Sequence, residues 1–254
     1  MRFETIRDLV AGVPFIDPHR ARVLYDFILE HRPTECLELG FAHGVSSCFI
    51  AAALDELGQG RLTSVDLVRS ASMSPTIEEL LERTGLQRYV LPLREPTSYT
   101  WFLRKKIEEL SRDGVCTPAY DFCFIDGPKN WTIDGFAFFL VDKLLRTGGW
   151  ILFDDYNWTY ASSSKTTTSG INHLEMGPDE LSQPHIELVV RLLVTQHPSY
   201  SEIRIQDDCW AWARKTAAPT TRVVIENSYT FKALLLRVLR VAARRLRIGQ
   251  LEGA

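Results

Sequence analysis

The sequence predicts an α/β protein with a doubly wound, mostly parallel sheet, a terminal antiparallel strand and helices on both faces. Three observations carry that expectation. Short apolar runs alternate with stretches of helical periodicity from about residue 18 onward. Two of the runs, 120–126 and 149–155, are nearly unbroken in apolar character, as strands buried on both faces are, and each ends on carboxylates. A glycine-bearing turn over 38–46 joins the first run to a long helical stretch. The length of 254 residues, with 45% hydrophobic and 24% charged residues, suits one large soluble domain with appendages.

The elements follow in order. Pro18 is placed to open a helix through 21–29, because a proline at the first helical position sacrifices no hydrogen bond. Residues 34–40 form the first strand and enter the tight turn; 45–57 is helical. The second strand, 61–66, ends on Asp66. Residues 77–84 are helical, 89–93 a short strand and 99–113 a helix. The strand ending at Asp126 is followed by a helix over 134–146, closed by Gly148 and Gly149, and by the strand ending at Asp154. The polar loop 156–184 has no core-forming pattern; its place directly after Asp155 makes it a candidate lid. A helix over 185–196 and a strand pair, 202–206 and 209–214, complete the domain. The expected organisation is an N-terminal segment 1–17, a domain 18–216 and a C-terminal extension 217–254.

Strands joined by crossover helices end on the same edge of a parallel sheet, so Asp126, Asp154 and Asp155 should converge there. Open α/β sheets bind ligands at that edge, and clustered carboxylates suit a hard divalent cation such as Mg2+. A metal site beside a cofactor site is the leading reading. In the turn Glu38-Leu-Gly40-Phe-Ala42-His-Gly44-Val-Ser46, glycine lets the backbone approach a ligand closely, and the following helix aims its amides there. Asp66 is placed to accept ribose hydroxyls. This is the nucleoside-binding layout of a Rossmann-like half. The dinucleotide fingerprint would need a third glycine, and Glu38 would repel phosphate while suiting an ammonium group. S-adenosylmethionine, with an amino and a carboxyl group and no phosphate, fits the turn better than NAD.

The turn resembles the first motif of class I S-adenosylmethionine-dependent methyltransferases. The spacing of Asp126, Asp154 and Asp155 resembles the Mg2+ ligands of the catechol and caffeoyl-CoA O-methyltransferase group and of related natural-product and sugar O-methyltransferases. The resemblance implies that Glu38, Gly40, Gly44 and Ser46 line the methionine end, that Asp66 meets the ribose, and that Asp126, Asp154 and Asp155 hold the metal. Ala42 and Ser98 complete the expected cofactor set. Lys129, three residues beyond Asp126, corresponds to the group's general base, so Lys129 and Asp126 form the expected catalytic pair. Asp155 stands where that group usually has asparagine, and the loop 156–184 is longer than its counterpart. The implied activity is Mg2+-dependent methyl transfer to a hydroxyl of a small molecule or glycosyl acceptor. The rival readings are an NAD-dependent oxidoreductase and a non-catalytic nucleoside-binding module.

His43 reads as a structural filler of the turn. His173 and His185, in or beside the lid, are the alternative bases. Trp131, Tyr156, Trp158 and Tyr160 flank the carboxylates, and Trp210 and Trp212 share one face of the last strand. The five cysteines include no Cys-x-x-Cys pair, which fits a reducing cytoplasm. The net charge of -3 gives no sign of nucleic acid as a partner. Along 229–248, Phe231, Leu234, Leu235, Val238, Ala242 and Leu246 fall on one helical face, with Arg237, Arg240, Arg244 and Arg247 opposite. Such a helix suits docking on the acidic body, packing on a second subunit in a homo-oligomer, or peripheral contact with an anionic membrane.

Overall fold

The computed structural model describes residues 3–162, 175–217 and 223–226. Eight strands form one sheet: β1 (Glu35–Leu39), β2 (Arg61–Leu67), β3 (Val90–Glu95), β6 (Tyr120–Ile125), β7 (Leu145–Phe153), β8 (Tyr200–Gln206), β9 (Trp210–Lys215) and β10 (Val223–Glu226). A separate two-stranded ribbon pairs β4 (Ser111–Arg112) with β5 (Val115–Cys116). The order across the large sheet is β10-β8-β9-β7-β6-β1-β2-β3. All neighbours are parallel except at β9, which runs antiparallel to both β7 and β8.

Helices α1 (Phe3–Leu9), α2 (Pro18–His31), α3 (Val45–Leu57) and α4 (Ile77–Thr84) contribute to the apolar layer on one face. Helices α5 (Tyr99–Leu110), α6 (Trp131–Leu144) and α8 (His185–Val189), the last continued by a π turn over Val190–Val194, cover the other. The sheet feeds both layers by alternation: on β6, Phe122 and Phe124 face the first, Cys123 and Ile125 the second. This is the doubly wound fold expected from the sequence.

Local chemistry explains the ends of the elements. Asp17 caps α2 by accepting from the amides of His19 and Arg20, with Pro18 opening the helix. Thr76 and Glu79 close a capping box on α4. Three features go beyond the expectation from sequence. Residues 3–9 form a helix whose Phe3 packs against Tyr25 and Phe49 within the core. The short helix α7 (Pro178–Ser182) lies within the stretch expected to be irregular. The chain also returns to the sheet as β10, beside β8.

Register fixes the site. Leu39 pairs with Val65 and with Ile125, and Ile125 pairs with Phe153. These four residues form one row, so Gly40, Asp66, Asp126 and Asp154 all lie one residue beyond it, on a single edge. Backbone hydrogen bonds lock the row: Gly40 N–H to Val65 at 2.8 Å, Asp126 N–H to Leu39 at 2.8 Å and Asp154 N–H to Ile125 at 3.1 Å. No helix among the described residues is long and apolar enough to cross a membrane.

Candidate active site

A cavity of about 460 Å³ opens at this edge. Gly40, Ala42, Ser46, Asp66 and Ser98 line one part of it; Asp126, Lys129, Asp154 and Asp155 line another. Pro14, Phe15 and Ile16 from the N-terminal segment and Trp158 from the stretch after β7 contribute apolar wall.

The turn passes close to the neighbouring strand because residue 40 is glycine. Its φ is +95°, and a Cβ there would lie 2.1 Å from the carbonyl oxygen of Asp126. Asp66 braces the turn: one carboxylate oxygen accepts from the amides of Phe41 and Ala42 at 2.9 and 2.7 Å, the other from Leu67 at 2.6 Å. Ser98 caps α5, accepting from the amide of Thr100 at 3.1 Å.

Two expected cofactor residues do not line the cavity. Glu38 is fully buried beneath the turn, where Ser46 donates to it at 2.6 Å and Ser47 and Ser64 donate as well. Burial pushes its carboxyl up, against the pull of the three hydroxyls. Its acceptors are committed within the protein, so the ammonium partner expected for it has no access. Gly44 instead faces Ile77, whose Cγ1 would lie 2.4 Å from an added Cβ. Its φ of +89° starts α3.

Asp126, Asp154 and Asp155 surround Lys129. The ammonium pairs with Asp126 and lies 3.8 Å from Asp154 and 3.7 Å from Asp155. Burial raises Asp126 to about 6 against the opposing charge of Lys129. Burial and the charge of Asp126 raise Asp154 to about 7. Asp155 is raised by burial and by Asp154. For Lys129, burial alone would lower the pKa, but the charges of Asp126, Asp155 and Asp154 together hold it above the usual lysine range. It is an ammonium in this arrangement.

Asp154 is anchored from β9, where the Trp210 indole N–H donates to it at 2.6 Å. The Cys209 thiol lies 3.9 Å from Asp154 and 3.8 Å from Asp155. Ligand atoms of Asp154, Asp155 and Cys209 all fall within 4.8 Å of one another. Burial pushes the thiol up, leaving it protonated and a poor ligand. The carboxylates are therefore the donors a metal would meet. Asp154 and Asp155 offer hard oxygens that suit Mg2+, whereas Asp126, expected as the third ligand, falls outside that group and is paired with Lys129.

Of the alternative bases, His173 lies outside the described residues. His185 is buried, with one ring nitrogen accepting from the Trp131 amide at 3.1 Å and the other 2.8 Å from the Glu180 carbonyl, so its role is structural. His43 meets the Pro75 carbonyl at 2.7 Å and stacks on Phe15. Trp210 and Cys209 were legible only as buried strand residues, because their contacts with the carboxylates depend on β9 lying against β7.

Residues 37–156 match the sequence family described as a methyltransferase domain. The matched stretch spans 120 of the 254 residues. It carries both the turn and the carboxylates. No curated protein matches the chain in sequence. The fold of the domain recurs in solved structures. One is the O-methyltransferase TomG of Streptomyces achromogenes, involved in tomaymycin synthesis and solved with SAM (16% identity, TM-score 0.56, covering 85% of this chain and 89% of that one). A second is an O-methyltransferase from Bacillus cereus in complex with SAH (19%, 0.56, 84% and 90%). A third is a putative caffeoyl-CoA O-methyltransferase from Staphylococcus aureus (18%, 0.58, 85% and 92%). At these identities the likeness is one of fold.

Proposed function

We propose that the protein is an S-adenosylmethionine-dependent O-methyltransferase that uses Mg2+ and acts on a hydroxyl of a small molecule or glycosyl acceptor. The observation that carries this reading is the shared register row. It sets Gly40 and Asp66 of the nucleoside side, and Asp126 and Asp154 of the acidic side, on one edge around one cavity. The methyltransferase family match and the cofactor-bound TomG and Bacillus cereus structures support it. An NAD-dependent reading has neither the third glycine nor a family match on its side.

In this reading Gly40, Ala42 and Ser46 wall the donor, while Asp66 braces the turn and presents its carboxylate toward the ribose. Ser98 borders the nucleoside. Asp154 and Asp155 would hold the cation. S-adenosylmethionine supplies the electrophilic methyl group, and Mg2+ supplies positive charge that favours the ionised form of a hydroxyl. Lys129 Nζ would receive the acceptor's proton as the free amine, its own proton having first passed to solvent. Neutralisation of the surrounding carboxylates is the condition for that, because burial then dominates and lowers its pKa. The remaining contribution is positioning of the two reactants, worth about 7–11 kcal/mol in favourable cases.

Calorimetry with S-adenosylhomocysteine should show saturable binding, and NAD should show none; the reverse result excludes the donor assignment. Turnover should vanish in excess chelator and return with Mg2+. Full turnover in chelator removes the metal from the reading. Lys129→Ala should lower kcat by about 100-fold or more with little change in S-adenosylhomocysteine affinity. The free cysteines fit a reducing compartment. For 229–248, outside the described residues, we favour docking on the acidic body or a second subunit over an anionic membrane.

A further inference from the structure

Asp134 is a fully buried carboxyl to which the mechanism gives no role. It lies in the first turn of α6, on a helix whose other inward residues include Ala137, Phe138 and Val141. One carboxylate oxygen accepts from the Tyr99 hydroxyl, the other from the Asn130 backbone N–H at 2.6 Å. Both donors belong to the frame of segment 127–130, which carries Lys129. Tyr99 begins α5 and packs on Gly127, where an added Cβ would lie 2.2 Å from the hydroxyl. Asn130 caps α6, accepting from Thr132 and Ile133 at 2.9 and 3.1 Å. Between Gly127 and Asn130, Lys129 adopts a φ of +58°, a left-handed conformation uncommon for a residue with a Cβ.

We propose that Asp134 and Tyr99 form a positioning clamp that holds Lys129 in its left-handed conformation, with the ammonium turned into the carboxylates. The clamp rests on the reading of Lys129 as the base. Burying a carboxylate is costly unless it is well hydrogen-bonded, and packing alone would be met by an apolar residue at this position. A carboxylate can accept from two donors arriving from different elements, here α5 and the lysine segment. Gly127 leaves room for the Tyr99 hydroxyl to reach it. The device connects two helices to the backbone of one functional residue.

Three variants of the full chain test this: Tyr99→Phe, Asp134→Ala and Asp134→Asn. Asparagine can still accept from the Asn130 amide and donate to the Tyr99 oxygen. Expected are a fall in kcat of about tenfold for Tyr99→Phe and about 100-fold for Asp134→Ala, since small misplacements carry such penalties. Acceptor KM and S-adenosylhomocysteine affinity should stay within about threefold, and Asp134→Asn should recover most of the alanine loss. An unchanged kcat, or a loss matched by S-adenosylhomocysteine affinity, overturns the clamp. If Asp134→Ala does not fold, Tyr99→Phe decides alone.

Amide hydrogen exchange over 127–131, measured without substrate, is a second readout independent of the reaction. The clamp requires faster exchange there in Tyr99→Phe with strands β1 and β6 unchanged; wild-type exchange in that segment overturns it. If the wild-type chain transfers no methyl group while this segment loosens as expected, the functional reading fails and the clamp stands.

Discussion

Asp134 carries an energetic consequence besides its geometry. Burial raises its carboxyl to about 6, against the lowering effect of the Tyr99 hydroxyl and the Asn130 amide. A carboxyl whose folded-state pKa lies above its unfolded value favours folding most when protonated. That contribution is complete below about pH 4 and is lost as pH rises through about 6. A gap of about two pH units between folded and unfolded midpoints corresponds to roughly 3 kcal/mol. Asp134→Asn cannot ionise, so urea melts should show it gaining on the wild type between pH 4 and pH 8, by up to that amount. A pH-independent difference would show that Asp134 titrates alike in the folded and unfolded chains. Glu38 shows what residue-level reading of a sequence can miss. Its place before the glycine turn marked it for the site. Its actual partners, Ser46, Ser47 and Ser64, come from the next helix and the next strand, and only the packed α3 and β2 reveal that its oxygens are taken.

Strand ends were legible in the sequence because buried parallel strands read as apolar runs, and each run stops where the chain leaves the sheet. Asp66, Asp126 and Asp154 could therefore be assigned to one edge without coordinates. The partner of Tyr99 could not: it sits 35 residues away on a different helix, and neither residue breaks its local pattern. The seven-residue α1 was missed because two turns give too little periodicity to distinguish from a coil. At the turn between β1 and α3, two constraints meet at Gly40, a positive φ and the approach of the Asp126 backbone. Gly40→Ala violates both and should lower stability by about 2 kcal/mol or more. Thermal denaturation is the check; an unchanged midpoint would mean that β1 and β6 can separate at their tips at no cost. Because Asp126 carries the affected carbonyl, acidic-centre function should fall with stability.

Across the whole molecule, every residue assigned to the site lies between Gly40 and Asp155, while the wall is completed from outside that interval by Pro14, Phe15, Ile16 and Trp158. The N-terminal helix is thus attached to the catalytic body through its own core residues and leads directly into a stretch of cavity wall. The C-terminal extension contributes none of the described lining residues. A chain ending at Asn227 should therefore bind S-adenosylhomocysteine with wild-type affinity. Comparing sedimentation of the two chains with anionic vesicles separates the remaining roles of the tail. Equal pelleting discards membrane contact, and a change in oligomeric state assigns the tail to subunit packing. Weaker cofactor binding in the short chain would show that the tail reaches the cavity after all.

The insertion of β9 beside β7 brings a chromophore into the acidic centre. Trp210 has a single polar hydrogen, and it is spent on Asp154. Any event that alters the charge of that carboxylate, whether a proton gained or a cation captured, acts directly on the indole's electronic environment. The enzyme's own ultraviolet emission thereby carries a signal from the chemistry, without an added label.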